Sequence, residues 1–279
     1  MRRYLIALCA ALTSLAALPA PAGIHYTAET VGDAGGRGSK MVVEGWVDGG
    51  GARIVFGETS TPMLDKGSYM VTQDGGQTVY LVDPKEETYT EWDVEAMLRG
   101  VGQVMQSLGG MVDVQVDNVA VVKLDSGDGP EMHGLATRYR KYRLSYDMRI
   151  KVMGMNRANH VETVNEVWST DQLADAALGL WLREAPTTGF DAVDELIEAE
   201  MSQVQGFPLK TVSTTTTTGE KGKRQDTSTS TTVVTSLDRT VAVTPATFMV
   251  PPGYQRVEAP ALGGEQQDNP LKGLFGGGR

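Results

Sequence analysis

The sequence predicts an α+β protein, a curved and mostly antiparallel sheet with about three helices covering one face. Three observations carry this expectation. Turn signals recur every 8 to 15 residues through the first third of the chain. The stretch 142–152 alternates apolar and polar residues without a break. Three other stretches switch to apolar spacing of i, i+3, i+4, the period of a helix packed on one side.

The chain opens with Met1-Arg2-Arg3, an apolar run from Tyr4 to Leu18 and a small-x-small triplet, Ala20-Pro21-Ala22. This is the layout of a secretory signal peptide with cleavage after Ala22, and its apolar part is too short to span a bilayer. The expectation is an exported protein, periplasmic or extracellular. Cys9 is the only cysteine and lies in the leader, so the remainder has neither disulfides nor thiol chemistry. Leu8 immediately before Cys9 is not the small residue that a lipid-anchor cysteine needs. No later stretch approaches the roughly 20 apolar residues of a spanning helix.

From Ile24 to Trp92 the chain is expected to form short strands: Ile24–Val31, Lys40–Val47, Arg53–Glu58, Ser68–Thr72, Thr78–Val82 and Thr88–Trp92. They are rich in Val, Tyr, Trp and Met, which suit a half-buried pleated surface. Asp-Gly pairs between them supply the positive φ angles of tight hairpins. A helix follows. Asp93 is its N-cap, and Val94, Met97, Leu98, Val101, Met105 and Leu108 form its apolar stripe up to Gly109-Gly110.

Strands resume at Val112–Leu124. In the next, Tyr142, Leu144, Tyr146, Met148, Ile150 and Val152 alternate with Arg143, Ser145, Asp147, Arg149 and Lys151, predicting one buried and one wet face. His160–Trp168 is a further strand. Ser169-Thr170-Asp171-Gln172 has the form of a capping box ahead of a helix carrying Leu173, Ala176, Ala177, Leu180 and Trp181. A third helix spans Phe190 to Val204. Phe207–Thr218 and Gln225–Val243 form a threonine-rich hairpin, expected at an exposed sheet edge. From Glu258 the chain is Gly, Gln and Pro-rich, a flexible tail (258–279) with an apolar spot at Leu271–Phe275. The organisation is thus leader (1–22), one domain (23–257) and tail.

Composition excludes some functions. The formal charge is −10, and losing Arg2 and Arg3 makes it −12, which argues against nucleic acid as a partner. No catalytic, metal or cofactor constellation appears. His25, His133 and His160 are the only histidines, none in a metal spacing, and no nucleophile elbow, phosphate loop or dinucleotide glycine pattern is present. The chain is expected to be non-enzymatic.

Four local signs, in order, are Tyr80-Leu81-Val82-Asp83-Pro84, Glu166-Val167-Trp168-Ser169, Gly206-Phe207-Pro208-Leu209-Lys210 and Phe248-Met249-Val250-Pro251-Pro252-Gly253-Tyr254. On these the chain is similar to an exported family, the domain of unknown function numbered 4412. Its element order resembles the periplasmic lipoprotein-carrier fold (LolA/LolB-like), a half-open barrel. That resemblance implies a groove for a lipid or lipoprotein acyl chain between sheet and helices. Its expected apolar lining is Met97, Val101, Met105, Tyr146, Met148, Leu180 and Trp181, around a cavity of order several hundred Å³. The alternative is an envelope interaction or sensing module that binds a protein partner through its surface. The one basic strip, with Arg138, Arg140, Arg143 and Arg149, is then the candidate surface for a partner or an anionic group.

Overall fold

The computed structural model describes residues 22–34, 37–59, 65–97, 99, 112–152, 155–173, 188–189, 191–203, 205–219, 222 and 225–258. Most of them belong to one sheet. In chain order its strands are β1 (Ala22–Ala34), β2 (Arg37–Asp48), β3 (Gly51–Thr59), β4 (Tyr69–Thr72), β5 (Thr78–Asp83), β6 (Thr88–Asp93), β7 (Val112–Asp128), β8 (Arg138–Val152), β9 (Met155–Thr170), β10 (Phe207–Gly219), β11 (Gln225–Ala242) and β12 (Gln255–Arg256). The spatial order is β12-β6-β5-β4-β3-β2-β1-β11-β10-β9-β8-β7. Two meanders, β1 to β6 and β7 to β11, are stitched together where β1 pairs antiparallel with β11. Only the short β12 runs parallel, beside β6.

The expected fold class is corrected here. The sheet does not close: among the described residues β7 and β12 are its two edges. Nor do about three helices cover a face. Among the described residues there are two short α-helices, α1, which opens at Val94, and α2 (Asp191–Met201). Asp93 does cap α1, accepting a hydrogen bond from the Ala96 N–H at 2.8 Å. The capping box, however, does not begin a helix in the described residues. β9 runs on through Thr170, which is fully buried and paired with Phe207, and only a 3-10 turn (Asp171–Leu173) follows. Strand pairing and burial at Thr170 outweigh a local cap worth about 1 kcal/mol. The rest of the second predicted helix lies outside the described residues, as do the leader to Pro21 and the tail from residue 259.

The threonine-rich hairpin is also displaced from its expected place. β10 and β11 lie near the middle of the sheet, β10 against β9 and β11 against β1.

Because side chains alternate along a strand, the two faces have separate cores. On the first face Ile24, Tyr26 and Ala28 of β1 join Val47, Ala52, Phe207, Leu209 and Val234. Leu135, from the loop between β7 and β8, and Leu173 close over them. The Phe207 ring meets Tyr26 edge-on at 5.5 Å, and Gly45 lies so close beneath the Tyr26 ring that a Cβ there would be 2.3 Å from it. On the second face Tyr69, Val71 and Val82 pack with Val55, Tyr80 and Tyr89. Val250 and Tyr254 of the C-terminal segment cover this second core, and Gln73 Nε2 ties the segment down by donating to the Phe248 carbonyl.

Candidate functional site

The register from β1 through β11, β10 and β9 to β8 puts Tyr142, Leu144, Tyr146, Met148 and Ile150 on the first face. On β7 their neighbours on that face include Val114, Val116 and Val121. The result is an apolar lane two strands wide, roughly 26 Å long at about 3.3 Å per residue. Leu144 is buried, while Tyr142, Tyr146, Met148, Ile150 and the three valines are only half-buried. Helix α2 packs against β7, and its Glu200 is near enough to Tyr142 and Tyr146 to raise both phenols, after the larger effect of burial.

Of the expected groove residues, Tyr146 and Met148 therefore share this lane, and Met97 lies half-buried in the first turn of α1. Val101, Met105, Leu180 and Trp181 lie outside the described residues. Beside the lane the same face changes character. Thr163 and Asn165 on β9, Ser213 and Thr215 on β10, and Ser228 and Ser230 on β11 make a hydroxyl-rich floor. Thr163 and Thr215 hydroxyls pair at 3.1 Å, and Ser213 Oγ donates to Asn165 Oδ1.

The basic strip is divided between the two faces. Arg138 and Arg140 belong to the lane side, Arg143 and Arg149 to the other. Arg138 Nε meets Asp171 Oδ2 at 3.2 Å, Arg143 meets Glu162 at 3.4 Å and Arg149 meets Asp117. Arg140 donates to Ser169 Oγ at 3.0 Å and to the Gln205 carbonyl and side chain, while burial lowers its guanidinium pKa. Lys141 and Tyr139 both hold Glu166, whose carboxyl the Tyr139 hydrogen bond depresses first. Each of these arginines already has a partner on the protein itself.

One constellation escaped the sequence reading. On the second face, near the tip of the central hairpin, His160 Nδ1 lies 2.8 Å from Asp147 Oδ1. Asn118 Nδ2 donates to the other carboxylate oxygen, Oδ2, at 2.7 Å. These two hydrogen bonds, from Asn118 first and then His160, hold the Asp147 carboxyl below its ordinary range. Asn118 has φ of 56° and sits in a bulge where β7 shifts register against β8, which turns its side chain toward Asp147. Thr218 is the direct cross-strand partner of His160. Beside them is a surface hollow of about 420 Å³ lined by Asp147, Met148, Arg149, Ala158, Asn159, His160, Thr218, Gly219 and Gly222. Linear spacing conceals this group, since its members lie on four strands and meet only through register. Among the described residues, no group of three or more His, Cys, Asp or Glu side chains is placed to hold a metal ion. No helix among them is long and apolar enough to cross a membrane.

No family model matches the chain, so the resemblance to family 4412 gains no support, and no curated protein matches it either. Several solved structures show a distant likeness, among them the following three. An uncharacterised conserved protein from Thermus thermophilus has a TM-score of 0.35 at 12% identity, over 86% of this chain and 91% of that one. PNGF-II has a TM-score of 0.35 at 12% identity, over 86% of this chain and 32% of that one. A domain named as an outer membrane lipoprotein-sorting protein, from Vibrio parahaemolyticus, has a TM-score of 0.30 at 8% identity, over 81% and 89%. Likeness this weak carries no inference about ligand or activity.

Proposed function

We propose that this is an exported protein that holds an apolar ligand, a lipid or an acyl chain, against the lane on β7 and β8 beside α2. The observation that carries the reading is the half-buried state of Tyr142, Tyr146, Met148, Ile150, Val114 and Val116 on one continuous strip. Apolar area left in water at about 25 cal/mol per Å² rewards any apolar cover. The hydroxyl floor on β9 to β11 limits where such a ligand lies: covering those hydroxyls with methylenes desolvates them without new partners. The ligand is therefore expected to follow β8 and not to spread across the sheet.

Native mass spectrometry on protein purified from its own exported compartment, followed by solvent extraction, tests this. A stoichiometric lipid-sized adduct that is lost in a Tyr146→Glu variant is the expected result. A bare polypeptide mass, repeated after incubation with membrane lipids and without detergent, overturns it.

One observation favours the second reading, a surface that binds an envelope protein. Among the described residues β7 is an edge strand, and it exposes Val122 and Leu124, at 39% and 44% exposure. Loss of a captured partner in a Val122→Lys, Leu124→Lys variant, with lipid binding unchanged, is the outcome that selects it.

A further inference from the structure

We propose that Asp147, His160 and Thr218 form a hydrolytic centre for small, water-exposed esters in the hollow at the tip of the central hairpin. Its three side chains belong to the face opposite the apolar lane, and it departs from the sequence-based expectation of a chain without catalysis.

Five features converge on one spot. Asp147, His160 and Thr218 occupy consecutive paired positions on β8, β9 and β10, so an acid, an imidazole and a hydroxyl stand in a row on one face. The acid lies 2.8 Å from the imidazole Nδ1 and is fixed from its other side by Asn118 at 2.7 Å. A carboxylate on Nδ1 selects the tautomer with its proton there, leaving Nε2 as the basic nitrogen. Thr218 is the residue directly opposite His160 across the β9–β10 pairing, with a Cβ about 4.5 to 5.5 Å from that of His160. The bulge with its left-handed Asn118 is the kind of local departure that re-aims side chains at reactive sites. Finally, the hollow has room for a small ester, and Gly219 and Gly222 are part of its lining.

The chemistry balances without a cofactor. The Thr218 hydroxyl oxygen attacks the ester carbonyl carbon while its proton passes to His160 Nε2. The bond from that carbon to the alcohol oxygen breaks, and the imidazolium returns the proton to the departing alkoxide. Water, deprotonated by the same nitrogen, then attacks the acyl-threonine. The carboxylic acid leaves and the Thr218 hydroxyl is restored. His160 and Thr218 are the catalytic residues in this scheme, and Asp147 and Asn118 are positioning residues.

Hydrolysis of p-nitrophenyl acetate by the full chain tests the proposal, with circular dichroism confirming the fold of each variant. The His160 and Asp147 side chains are 50% and 40% exposed, so their replacement is not expected to unfold the protein. Turnover above the buffer rate is expected, falling about 100-fold in His160→Gln and in Thr218→Val. Asp147→Asn is expected to lower kcat with KM unchanged, and Asp147→Glu to recover part of it. Stopped during turnover, the protein is expected to carry one acetyl group on Thr218. No turnover above buffer, equal turnover in His160→Gln, or acetyl on a different residue overturns the proposal.

Discussion

The two ends of the central hairpin are built on different physics. At its base Phe207, Leu209 and Val234 are at most 4% exposed, and each packs into the first-face core. Beyond Lys210, β10 has no buried residue on either face, and Thr211 to Gly219 are all half-buried. The same pair of strands is thus a core element at one end and a ribbon wet on both sides at the other. Threonine suits the second role. Its branched Cβ favours the extended backbone, and its hydroxyl tolerates water or pairs across strands, as Thr214 with Thr229 and Thr216 with Thr227 do at 3.3 and 3.4 Å. The composition that stands out in the sequence follows from missing cover.

The sharpest way to break this contrast is Phe207→Ala. Its ring is 1% exposed and leans on Tyr26, so truncation opens a cavity and is expected to cost about 3–5 kcal/mol in denaturant unfolding. A loss no larger than that of a threonine substitution at the tip would show that the base is not the anchor.

Alkaline titration probes the same end. Burial pushes the Tyr26 phenol up to about 12 from an ordinary 10. A folded value above the unfolded one means the contribution is complete below about pH 10 and disappears as pH rises through about 12. Two units correspond to roughly 3 kcal/mol at most. The midpoint of denaturant unfolding is expected to fall over that window in wild type. In Tyr26→Phe it is expected to fall by less.

Gly45→Ala comes next. The added methyl would meet the Tyr26 ring at 2.3 Å, and overpacking of this kind costs about 1–3 kcal/mol. Because Gly45 and Phe207 both act on Tyr26, their double variant is expected to deviate from additivity, whereas Gly45→Ala with a tip substitution is not.

How much of this was readable before the structure depends on the range of the force involved. The strands were legible to within a few residues, because alternation and Asp-Gly turns are local: Thr88–Trp92 was expected and Thr88–Asp93 is observed, whereas His160–Trp168 was expected and Met155–Thr170 is observed. Asp93 as the cap of α1 was equally local. The pairing of β1 with β11 was not, since Thr30 and Thr232 are 202 residues apart and nothing between them announces the contact. That pairing carries the hairpin from the expected edge to the middle of the sheet. Ser169 and Thr170 misled for a related reason: their hydroxyls are common to caps and to buried sheet positions, and only the partner strand decides. At the candidate sites, β8 alternation was enough to place Tyr146 and Met148 together. The meeting of Asp147 with His160 required the β8–β9 register, which a single chain of letters does not contain.

The smallest effect is expected where the contrast is most extreme. Thr216→Val keeps the branched Cβ and removes a hydroxyl whose only observed partner, Thr227, is exposed and 3.4 Å away. Water replaces that partner at little cost, so the change is expected to stay within about 0.5 kcal/mol. The paired double variant, Thr216→Val with Thr227→Val, separates two origins of tip stability. If ladder hydrogen bonds and Cβ branching hold the ribbon, the double variant unfolds with the wild type. If the hydroxyl pairs hold it, the loss exceeds about 1 kcal/mol, and amide exchange along Thr214–Thr218 accelerates while Phe207 and Leu209 stay protected.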